Sequence, residues 1–151
     1  MDKSKKEYVY KLLYSKNRKD TIDEIKSITD FTLLHIIAGN YNWDNGFEIP
    51  YSIINNKNCD LGTALMIFYD ADGYRALENK EELKNPNLKE WANFISKIGE
   101  KIINNEFKVN HIKFIPPLTK VQIFKLKKNN PSITKVFIEE TDGCVVEIPI
   151  I

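Results

Sequence analysis

Between Tyr41 and Asp72 the chain collects the side chains best suited to chemistry. Asp44, Glu48, Asp60, Asp70 and Asp72 supply carboxylates, Trp43 and Phe47 supply rings, and His35 lies just upstream. Paired carboxylates could perform acid–base catalysis or hold a hard cation. An EF-hand loop needs alternate oxygen ligands, glycine at its sixth position and glutamate at its twelfth. Counting from Asn40, those two places fall on Asn45 and Tyr51, and counting from Asp70, Gly73 comes too early. Both registers fail. Local structure accounts for the acids more economically. Asp60 precedes an apolar run as a helix cap would, Asp44-Asn45-Gly46 reads as a turn, and Asp72-Gly73 as a helix exit.

Other chemistry is excluded on motif grounds. His35 sits between Leu34 and Ile36, the setting of a buried, hydrogen-bonded histidine rather than a base. Cys59 directly precedes Asp60, which disfavours a thiolate. Cys59 and Cys144 form no CxxC pair and are expected to be buried small hydrophobes. There is no GxSxG, GxGxxG, Walker A loop or HExxH. No catalytic residue, metal or cofactor is therefore assigned.

Charge is unevenly distributed behind a formal net charge of +1. Residues 29–106 hold 12 acids against 7 bases, whereas residues 107–138 hold seven lysines and no acid. Lys120, Lys125, Lys127 and Lys128, with Phe124 among them, could contact phosphates and stack on a base. That segment lacks arginine, and the sequence pI is about 7.7, which argues against a dedicated nucleic-acid binder. No apolar run approaches the length of a membrane span. The N-terminus lacks the apolar core of a signal peptide, so a cytoplasmic location is expected.

The elements that position these residues are mostly helices. Tyr8, Val9, Leu12 and Leu13 form one apolar stripe. Thr21 to Glu24 has capping-box spacing for a second helix. Asp30 should cap a third helix ending at Gly39-Asn40, Pro50 should stand in the first turn of a short fourth, and Asp60 should cap a helix apolar on nearly every side. Leu88, Trp91, Ile95, Ile98 and Ile102 recur at spacings of three and four, the strongest helical period in the chain, with Asn87 as its expected cap. Thr119 to Gln122 has capping-box spacing that favours a short helix to Lys128, with a strand through Val121, Ile123 and Phe124 as the alternative. His111 to Ile115 alternates like a strand, and Val136 to Glu139 with Val145 to Ile148, joined by Asp142-Gly143, reads as a β-hairpin. The turn between Ile53 and Leu65 suggests helices paired as in HEAT-like repeats. The expected fold is one mostly α (α+β) domain over 1–151, with short paired helices and a small C-terminal antiparallel sheet.

Leu34-His35, Asn42 to Pro50, Cys59 to Leu65 and Ala71 to Gly73 together resemble a bacterial family, domain of unknown function 4274, over roughly residues 31–78. Asn45 stands where that pattern more usually has Asp. The resemblance implies a bacterial source and no established activity.

The expected role is a non-enzymatic, cytoplasmic protein-interaction module, of the kind that immunity or antitoxin proteins represent. Trp43, Asp44, Glu48, Asp72 and Arg75 are its expected partner-binding residues, exposed in part because the loop around Trp43 carries more polar groups than a core can satisfy. Their partner would be a basic protein. Two alternatives remain: a small metal-dependent or acid–base enzyme using Asp44, Glu48 and Asp72 with His35, and a weak nucleic-acid binder using residues 107–138.

Overall fold

The computed structural model describes residues 1–151. Eight α-helices run in order: α1 (Lys3–Leu13), α2 (Arg18–Ser27), α3 (Phe31–Gly39), α4 (Glu48–Ile54), α5 (Leu61–Asp70), α6 (Gly73–Glu78), α7 (Lys89–Ile103) and α8 (Lys120–Asn129). Short 3₁₀ turns at Trp43–Asn45, Lys80–Lys84, Pro86–Leu88 and Lys135–Phe137 join them.

Side-chain caps explain most helix starts. The Asp30 carboxylate accepts from the Thr32 and Leu33 amides, Asp60 from Gly62, and Thr119 closes a reciprocal capping box with Gln122. Two starts differ from expectation. Helix α2 is capped by Asn17, a turn earlier than Thr21, because Thr21 turns inward and donates its hydroxyl to the Leu12 and Asn17 carbonyls. Asn85, not Asn87, caps the 3₁₀ turn that feeds α7.

A single apolar cluster takes side chains from nearly every helix, with Val9, Ile25, Leu34, Ile37, Ile53, Leu65, Ile67, Phe94 and Ile98 among its buried members. The main helix contacts are α2 with α4, α5 with α7, and α3 with α5. None of these pairs is consecutive in the chain, so the turn between α4 and α5 does not create the paired, HEAT-like stack that its residues suggest.

The expected C-terminal antiparallel sheet is absent. Only two isolated parallel bridges occur, Asp60 with Val109 and Ile112 with Cys144. The backbone of residues 109–114 divides its polar groups among scattered partners: Cys144 N–H donates to His111 O, Lys113 N–H to Cys144 O, and Thr141 N–H to Phe114 O, without a regular register. Val109 O accepts from the Leu61 amide, His111 and Ile112 N–H donate to the Asp60 carboxylate, and Phe114 N–H donates to the Thr141 hydroxyl. No repeating ladder is left to build, and Pro116-Pro117 ends the segment. The first half of the expected hairpin instead makes the 3₁₀ turn Lys135–Phe137, which sends Phe137 into the core against Phe68 at a ring separation of 4.9 Å. The chain end then crosses α3: Ile148 lies over Gly39, and Asn40 bonds to Pro149 O and Ile151 N. Residues after α7 thus strap the helices together.

Candidate functional site

The loop between α3 and α4 is built around a reversal that its sequence encodes. Asn42 Oδ1 accepts from the Asp44 amide at 3.0 Å, opening the 3₁₀ turn, and Gly46 closes it with φ of 84°, a conformation that favours glycine. The Tyr41 hydroxyl donates to Gly46 O at 2.8 Å. Arg18, from α2, donates to Asn45 O at 3.3 Å and pairs with Glu48 at 3.7 Å.

Rings anchor this loop from beneath. Phe94 of α7, fully buried, has Phe47 at 5.0 Å, Tyr51 at 4.9 Å and Trp43 at 6.1 Å between ring centroids, and Trp43 meets Tyr41 edge-on at 5.5 Å. Edge-to-face contacts of this kind favour defined ring orientations. Trp43 is half-buried, while Asp44 and Glu48 are exposed. Asp44 makes no ion pair. Beside the loop, Phe47, Glu48, Tyr51, Glu90 and Asn93 line a depression of about 260 Å³ that contains two carboxylates and no basic side chain.

Asp72 and Arg75 belong to a different neighbourhood. Asp72 joins α5 to α6 in the left-handed conformation at φ 61°, with its carboxylate exposed. Arg75 pairs with Glu82 at 2.9 Å and lies 5.8 Å from the centre of the Trp91 ring, whose indole N–H donates to Ala71 O at 2.7 Å. No hydrogen bond, ion pair or ring contact joins these two residues to Trp43, Asp44 or Glu48. The five predicted residues therefore form two groups, and sequence spacing missed Glu90 and Asn93, which α7 brings to the first.

His35 is buried, with Nδ1 3.0 Å from the Thr63 hydroxyl. Burial lowers its pKa, partly opposed by the Asp60 charge. Its proton affinity is thus lower folded than unfolded, where the ordinary value is about 6.5. Stability contributed by neutral His35 is present above that value and declines as pH falls toward the folded pKa. In urea titrations the midpoint is expected to fall through this window, with a shallower fall in His35→Gln. An equal slope in both proteins would exclude His35 as the cause.

Cys59 is buried as expected, and burial with the Asp60 charge pushes its thiol pKa up. Cys144 is exposed, contrary to expectation, and follows Gly143, which has φ of 112°. No group of three or more His, Cys, Asp or Glu side chains is placed to hold a metal ion. No helix is long and apolar enough to cross a membrane.

These features define an α-helical domain whose ring-anchored loop is packed between α4 and α7. Its residues 29–103, from just before the α3 cap to the last residue of α7, match the model of DUF4274, a domain of unknown function, so the family resemblance carried by the loop and α5 motifs is shown. No curated protein and no solved structure matches the chain.

Proposed function

We propose that the protein is a non-enzymatic interaction module that uses the face formed by Trp43, Asp44, Glu48 and Glu90 to bind a basic protein. The observation carrying this reading is the depression lined by Phe47, Glu48, Tyr51, Glu90 and Asn93. Its carboxylates and ring faces suit a partner's lysine or arginine side chain, through ion pairing and cation–π attraction. The Arg18–Glu48 pair is a weak competitor, since both side chains are substantially exposed. A cytoplasmic bacterial immunity or antitoxin protein would use such a face to cover basic groups of a toxin.

Capture from the native host, with the purified chain as bait, tests the proposal. Glu48→Lys/Glu90→Lys is expected to lose a basic partner retained by the unmodified chain while keeping its melting temperature within a few degrees. Capture by the unmodified chain should also weaken with added salt, as the Debye length falls below about 8 Å. Equal recovery of the same partners by both proteins would sink the assignment.

A further inference from the structure

Helix α8 carries a second surface of opposite charge. Leu126 is buried and Ile123 packs against the core, yet Val121 is 61% and Phe124 65% exposed. Val121 and Phe124 are three residues apart, and Lys125 and Lys128 follow each by four, so the four side chains form one outward patch. Lys120 and Lys127 extend its positive charge, and none of the four α8 lysines forms an ion pair.

The fold does not require this arrangement. Lysines in the last turn complement the helix dipole, but Lys120 occupies the first position, where a cation is disfavoured and no acid offsets it. An outward phenylalanine likewise contributes little buried area to the monomer.

We infer that the Val121–Phe124–Lys125–Lys128 face of α8 is a docking surface for an acidic protein segment, with Phe124 as its apolar anchor and the lysines pairing with carboxylates. Charge complementarity selects an anionic occupant, since residues 107–138 contain no acid. Interleaving selects among anions. A nucleic acid could stack on Phe124, but Val121 offers it nothing and the segment lacks the arginine that phosphate recognition favours. A lipid interface would favour an apolar stripe with lysines on the polar side, whereas Lys125 and Lys128 share the face of Val121 and Phe124. A protein partner that alternates apolar and acidic side chains fits both features. This surface shares no residue with the acid-and-ring face.

The probe is a synthetic helical peptide repeating leucine and glutamate, titrated into the full chain and followed by amide shifts of α8. Saturable binding at Val121 to Lys128 is expected. Phe124→Ser should weaken it about tenfold or more, as loss of an aromatic anchor does, and Lys125→Glu/Lys128→Glu should abolish it. All three sites are exposed, so circular dichroism should report an unchanged fold. A thymidine oligonucleotide and phosphatidylserine vesicles serve as the other arms. No α8 shifts with the peptide, peptide affinity indifferent to these substitutions, or tighter binding of oligonucleotide or vesicle to the same residues would each overturn the inference.

Discussion

Replacing Asp60 with alanine is expected to cost the fold about 4 kcal/mol or more, which approaches the whole stability of a marginal domain. Asp60 is completely buried without a cation beside it. Its charge is held instead by three backbone donors: Gly62 N–H at 2.7 Å on one oxygen, and His111 and Ile112 N–H at 2.6 and 3.2 Å on the other. The first lies at the positive end of α5, and the other two belong to the strap. Alanine would remove these charge-assisted bonds and leave the buried Gly62 and Ile112 donors unsatisfied, with the part-buried His111 amide beside them. Asp60→Asn keeps an acceptor but sets an amide N–H against one of these donors, so an intermediate loss is expected. Urea unfolding measures the cost, and hydrogen exchange at the His111 and Ile112 amides should show the strap loosening first. A midpoint unchanged in Asp60→Ala would mean that the strap is held by other contacts.

Asp60 also marks the limit of what the sequence disclosed. Its role as a helix cap was legible because capping is local: an acid two residues before an amide that lacks a helical partner. Its grip on residues 111 and 112 reaches across about fifty positions and has no local signature. The same contrast explains the C-terminal error. Alternation in His111–Ile115 and the Asp142-Gly143 turn satisfy the patterns of strands, but a sheet needs a partner edge. Here the backbone of residues 109–114 is divided among the Asp60 carboxylate, the Thr141 hydroxyl and a few irregular bonds to residues 141–144 that make one isolated bridge and no ladder. The α7 stripe holds at Ile95, Ile98 and Ile102, which are buried, while Trp91 is only half-buried and uses its indole N–H at the Ala71 carbonyl. The candidate site followed the same rule. Its turn was encoded within Asn42–Gly46, but Glu90, Asn93 and the supporting Phe94 came from a helix more than forty residues away, and Asp72 with Arg75 went elsewhere.

Phe94→Ala should have the second large effect, a loss of about 3–5 kcal/mol, the range for deleting a fully buried ring. The three–four period of Leu88 to Ile102 passes over this residue, yet its ring joins α7 to Trp43, Phe47 and Tyr51. Truncation would remove the transfer energy of the ring and open a cavity that three rigid aromatics cannot readily collapse into. Phe94→Leu retains part of the volume and should cost less, giving a protein that still folds. That variant separates support of the core from support of the loop. With its helices intact, the Trp43 ring should lose its fixed environment, seen as a weaker near-ultraviolet circular dichroism signal and greater acrylamide quenching. Because Phe47 and Tyr51 line the acidic depression, capture of a basic partner should fall in Phe94→Leu although both carboxylates remain. Full capture alongside a loosened Trp43 would show that the carboxylates act without the ring scaffold, and the proposed face would then be one of charge alone.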